Sequence, residues 1–224
     1  MRPAMAQAPA DTSARTALRQ ATDASHQRMH GLAPFAQIAA GTLPMKQYRQ
    51  LLQSLFLFHA AVGQTARRGG WSLLSSSGQR LGMLRSDLAF LGAAAPEPDF
   101  SWQAGPREAA LGALYAAEGS MMGGRVIARQ LDYAFGSSQD GRRFFMGDKG
   151  DRANWLRLIG VLESTCQTSR ELNAAIVGAS RTFDWFERCI TRECPSHCVG
   201  LVPPASCGAP KRLPSQRAPF HGFI

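Results

Sequence analysis

Residues 116–125, AAEGSMMGGR, decide how this chain is to be read. Helical pattern runs into the stretch through PREAALGALYAAEG and out of it through RVIARQLDYAFG, yet it carries Gly119, Gly123 and Gly124. Each glycine inside a helix costs roughly 1 kcal/mol relative to alanine. About 3 kcal/mol must therefore be offset by something the glycines make possible, or the helix bends there. Gly119 and Gly123 are four apart and share a face, and Gly124 adds freedom to kink. A missing side chain admits close backbone approach, by another helix or by a flat ligand. Spacing alone leaves both open.

Outward from this stretch, helical periodicity dominates and β-type alternation is nearly absent. The glycine-bearing helix is expected from Pro106, a favoured first-turn proline, to Phe135, where GSSQDG breaks it. A first helix is expected from about Ser13 to Met29, with Asp11 or Thr12 as N-cap and Leu18, Thr22 and Met29 facing inward. HGLAP ends it. A longer helix follows Pro44 and carries Leu51, Leu52, Leu55, Phe56 and His59 before RRGG stops it. A third covers about Gly78–Leu91 and ends in AAAPEPDF. Two more are expected, one from near Asp151 through Leu162 and one over about Ser169–Cys189. The fold class is all-α, a single-domain helical bundle over 13–190. A flexible lead is expected at 1–12 and a disordered tail at 191–224.

The chain has 224 residues and a net charge of +9, enough length for a real core and a balance that favours anionic partners. No run of five or six Lys or Arg occurs, so nucleic acid is not expected. The most apolar run, LLQSLFLFHAAVG, is broken by Gln53, Ser54 and His59, so no membrane span is expected. The N-terminal MRPAMAQAPADTSA lacks an apolar signal region, which makes the cytoplasm the expected compartment. In the tail, Cys194, His197, Cys198 and Cys207 offer zinc-ligand types, but their spacing matches no familiar zinc module.

Three histidines lie within the domain: His26, His30 and His59. His26 sits beside the apolar stripe of the first helix, where a histidine is more often a boundary residue than a ligand. LRQATDASHQRMHGL (18–32) resembles the opening helix of the heme oxygenase family. LYAAEGSMMGGRVI (114–127) resembles its distal helix, closest to the bacterial biliverdin-producing branch. The paired phenylalanines at 144–145, Trp155 and TFDWFERC (182–189) fall where that branch has similar residues. The resemblance covers about residues 14–190.

The resemblance implies heme held between the first helix and a kinked distal helix, with His26 as proximal iron ligand. Gly119, Ser120, Gly123 and Gly124 would form the catalytic distal segment. Arg19 would meet a propionate, Arg125 is a second cation for that duty, and Arg157 fits only with a shift. Tyr115 is expected in the core and Glu118 as a buried partner for a basic residue. The implied reaction cleaves heme b with O2 to biliverdin, CO and ferrous iron. Electrons would come from an external donor such as a ferredoxin, a flavodoxin or a reductase, and a basic surface suits an acidic donor. One departure stands out: the animal-type family has an Asp where this chain has Ser120. That motivates an alternative, a heme-binding or heme-sensing protein without turnover. A heme-free, thiaminase-type relative would need a catalytic cysteine or acid inside the bundle, and Cys166 is the only cysteine well inside it.

Overall fold

The computed structural model describes residues 13–98 and 100–191. The expected lead and residues 192–224, with the possible zinc ligands Cys194, His197, Cys198 and Cys207, lie outside them. The described residues form helices and no strand: α1 (Ala14–His30), α2 (Ala33–Ala39), α3 (Met45–Arg68), α4 (Ser77–Phe90), α5 (Arg107–Ser120), α6 (Gly124–Gln130), α7 (Asp132–Phe135), α8 (Arg143–Met146), α9 (Asp151–Thr165) and α10 (Ser169–Thr191).

At the start of α1 the expected cap moves by one or two residues. Ser13, neither Asp11 nor Thr12, caps the helix, its Oγ accepting from the Thr16 amide at 3.2 Å. Glu163 of α9 then accepts from the Ala14 and Arg15 amides at 2.8 and 3.0 Å. A carboxylate from another helix thus answers the orphan donors and the positive end of the α1 dipole.

The core is organised around α5. Every residue from Ala109 to Gly119 is buried, the pattern of a helix surrounded by others rather than one lying on a surface. Its tightest neighbour is α10. A Cβ at Gly112 would lie 1.9 Å from the Ala175 carbonyl oxygen, and one at Gly178 would lie 2.0 Å from the Ala109 carbonyl oxygen. Each helix therefore offers a glycine to the other's backbone. Along α3, Phe58, Ala61, Val62 and Ala66 join the core around this crossing, while Leu51, Leu52, Leu55 and Phe56 join a second core with α4, α6 and α8.

The single helix expected over Pro106–Phe135 is broken three ways. α5 ends at Ser120, a 3-10 turn spans Met121–Gly123, and α6 and α7 follow. The glycines permit that break where alanines would have continued the ladder. Two short helices are additional to the sequence expectation. α2 is started by Pro34 in its first turn and anchored by buried Ile38. α8 is held from outside: the Asp87 carboxylate accepts from the Arg143 and Phe144 amides, both at 2.9 Å. Beside it, Tyr48 donates to the Gly141 carbonyl at 2.7 Å. Buried Arg142 donates to the carbonyls of Ser138 at 2.7 Å, Gly136 at 2.6 Å and Ala128 at 2.5 Å, and pairs with Asp132. This fan of donors fixes the loop that delivers Phe144 and Phe145 to the interior.

Candidate functional site

A cavity of about 500 Å³ opens between α1 and the broken α5–α6 segment. His26 and Met29 line one side; Gly119, Ser120, Gly123 and Gly124 line the other. Aromatic side chains of α3, α8 and α10 close it between them, among them Phe58, Phe144 and Phe183. The size lies within the range of about 300–1,000 Å³ typical of small-molecule and cofactor pockets.

Gly123 and Gly124 have different surroundings. A Cβ at Gly123 would meet nothing within 4 Å, so this glycine leaves space in the cavity wall. At Gly124 a Cβ would lie 2.8 Å from the Phe145 carbonyl oxygen, so this glycine lets α6 approach the backbone of α8. Ser120 Oγ donates to the Ala117 carbonyl at 2.8 Å. Its lone pairs remain as acceptors.

His26 is half-buried and stands edge-on to His30, ring centres 4.7 Å apart, and to Phe183 at 6.3 Å. Burial, then the neighbouring His30, lowers its pKa below the ordinary histidine value, with Asp23 opposing. The ring is therefore neutral at pH 7 and keeps a lone pair for a metal. Arg19 and Arg125 are exposed and line no part of the cavity, and Arg125 Nε donates to the Met146 carbonyl at 3.4 Å. The structure thus brings together His26 and the four distal residues, and leaves both arginines outside the wall. Their long side chains follow solvent at the helix surface, which a linear motif does not register.

Glu118 is buried one residue before the glycine break, yet its partner is no basic side chain. Its carboxylate accepts from Ser76, the backbone amide at 2.8 Å and the hydroxyl at 2.6 Å, while buried Arg80 pairs with Asp151 at 2.5 Å. Burial raises the Glu118 pKa, opposed first by the Ser76 hydrogen bonds and then by Arg80. Glu118 thereby ties the N-terminus of α4 to the point where α5 breaks. Glu118→Ala is expected to cost about 1 kcal/mol, because it leaves the half-buried Ser76 donors without their carboxylate; urea denaturation measures the loss. Tyr115 is in the core as expected, its ring 5.4 Å from that of Trp155.

His59 was legible only as a core position, yet it also lines the cavity. Full burial, then Arg80, pushes its pKa down to about 3. The unfolded chain binds that proton near pH 6.5 and the folded one does not. Stability supplied by a neutral His59 is therefore lost as pH falls from about 6.5 towards 3. Asp87, raised to about 6 chiefly by burial, acts with the opposite sign between about pH 4 and 6. His59→Gln isolates the histidine. Between pH 6 and 3 the wild type is expected to lose up to about 1.4 kcal/mol per pH unit more than this variant, read by urea melts.

Cys166 is buried outside the cavity lining, and burial, followed by nearby Glu171, raises its thiol to about 11. A thiol so protonated is a poor nucleophile at neutral pH, which removes the observation a heme-free thiol enzyme would need. Among the described residues no group of three or more His, Cys, Asp and Glu is placed to hold a metal ion. None of their helices is long and apolar enough to cross a membrane.

An all-helical bundle whose slot lies between a histidine-bearing first helix and a glycine-broken one defines a heme-oxygenase-type protein. A sequence profile of the Heme oxygenase family matches residues 12–192. A heme oxygenase of Xanthomonas campestris pv. campestris (strain 8004) is 37% identical over 119 residues, 51% of this chain and 69% of that protein. The NO- and CO-bound heme oxygenase of Neisseria meningitidis has a similar structure, with a TM-score of 0.64 at 21% identity over 81% of this chain and 92% of that one. So does heme oxygenase-1 of the cyanobacterium Synechocystis sp. PCC6803 in complex with heme, with a TM-score of 0.63 at 16% identity, again over 81% and 92%. The chain belongs to the heme oxygenase family, and heme degradation is the activity that family and fold support.

Proposed function

We propose that this protein cleaves heme b with O2 to biliverdin, CO and ferrous iron, in the cytoplasm, using electrons from a separate donor. One observation carries the reading: a neutral histidine faces, across an apolar cofactor-sized cavity, a backbone wall in which Gly123 leaves open space. The residues present fit the group. Bound heme would supply both the iron at which oxygen is reduced and the macrocycle that is cleaved.

The chain's own residues would do the rest. His26 Nε2 or Nδ1 offers the lone pair that binds iron. The glycine segment sets backbone rather than side chains against the opposite face, so a small ligand has room there. Ser120 Oγ, its proton committed to Ala117, accepts a hydrogen bond from water and orients it for proton delivery. The aromatic walls exclude bulk water and limit rotation of the macrocycle. Arg19 lies seven residues before His26, two turns along the same face of α1, and would reach a propionate at the cavity mouth. Arg125 would serve the same group after leaving Met146. A charge of +9 suits an acidic donor of the ferredoxin or flavodoxin kind.

A second reading, heme binding without turnover, is favoured by Ser120: an uncharged hydroxyl organises water less strongly than a carboxylate. Hemin titration followed by reduction in air with catalase separates the two. Decay of a one-to-one Soret band into biliverdin absorption supports the enzyme. A stable Soret band supports the carrier or sensor, and no specific binding overturns both.

A further inference from the structure

We propose that His26 and His30 together form a site for a divalent first-row metal ion in the heme-free protein. The pair has the i, i+4 spacing that places two imidazoles on one helix face. The separation of the two rings falls within the range that chelation by both would require. A metal–nitrogen bond of 2.0–2.1 Å puts each ring centre about 3.2 Å from the ion, so two rings at 90–110° about it have centres about 4.5–5.2 Å apart. The observed separation is 4.7 Å, with the rings at 86° to one another, an arrangement in which adjacent ligands avoid collision. Both side chains line the same cavity, and His30 is exposed, so an ion and its remaining water ligands have access from solvent.

The donor set selects the class of ion. Imidazole suits Ni²⁺, Cu²⁺, Zn²⁺ and Fe²⁺, whereas Mg²⁺ and Ca²⁺ prefer oxygen. Ferrous iron freed in this cavity is the first such ion the pair would meet. Because His26 belongs to both sites, the ion and heme exclude one another. The metal site itself does not rest on heme binding; only the competition described next does.

The test uses the full-length, untagged chain with Ni²⁺ as probe and Mg²⁺ as control. At tenfold its Kd, Ni²⁺ is expected to raise Tm by about 3–6 °C, Mg²⁺ to leave it unchanged, and both His30→Ala and His26→Ala to abolish the shift. At that concentration the apparent Kd for hemin rises about elevenfold in the wild type and not in His30→Ala, each compared with itself without Ni²⁺. Ions held by Cys or His elsewhere in the chain would not compete in this way. The proposal is overturned if Ni²⁺ gives no shift in the wild type, or if the shift survives in both variants. If the shift is present and lost in both variants while hemin binds with the same affinity with and without Ni²⁺, the metal site stands and His26 is overturned as the heme ligand. If hemin does not bind at all, the heme reading fails while the melting measurement still decides the metal site.

Discussion

Gly178→Ala lowers the stability of this domain by at least about 3 kcal/mol and its Tm by about 6–12 °C. The added methyl would sit 2.0 Å from the Ala109 carbonyl oxygen and 2.6 Å from its carbon and Cα. These are backbone atoms of the central helix, so no side-chain rotation relieves the overlap. Either α10 withdraws, opening voids along its length, or α5 shifts and carries the glycine break with it. Alanine's better helix propensity returns only about 1 kcal/mol. A loss of that size is a large fraction of the 5–15 kcal/mol that typically holds a domain together. Gly160→Ala on α9 is the matched control, since a Cβ there meets nothing within 4 Å, and a small gain in stability is expected. Thermal denaturation followed by circular dichroism decides it: equal melting of Gly178→Ala and wild type would mean the two helices are not interlocked.

His26→Ala has the largest expected effect on function. The slot keeps its apolar walls, so a porphyrin would still partition into it, but the lone pair that His26 would give the iron is gone. Groups that merely orient a metal-binding histidine are worth about 10–100-fold in metal affinity, so loss of the histidine itself exceeds about a hundredfold for hemin. Under the proposed function, turnover to biliverdin is expected to fall to background. The fold is retained, because the ring is only half-buried and alanine is the better helix former. Near wild-type hemin affinity in a folded His26→Ala protein would remove this residue as the ligand and with it the proposed function.

Where apolar periodicity was long, the sequence placed the helices to within a residue or two, as for α3, α4 and α10. It missed α2 and α8 for a physical reason. At seven and four residues they are too short to show a period, and α8 exists because Asp87, distant in sequence, caps its amides. The glycine break was visible as a propensity anomaly, but dividing the labour between Gly123 and Gly124 required knowing where Phe145 lies. Gly112 and Gly178 left no signal, since each stands in an otherwise sound helical stretch and its meaning depends on the register of two helices. At the site, His26, Gly119, Ser120, Gly123 and Gly124 line one cavity. Arg19 and Arg125 do not reach the wall, because motif spacing fixes a position on a helix but not where a long cation points.

The mutual glycine contact between α5 and α10 has a bearing on how the chain matures. α5 is buried along most of its length and is synthesised well before α10, the last described element. Until α10 emerges from the ribosome, the face around Gly112 has no surface to bury it. Local pairing of α3 with α4 can proceed meanwhile, since those helices follow one another directly. The central helix is then the sticky part of the nascent chain, and a pause in translation before residue 169 would leave it open to self-association or chaperone capture.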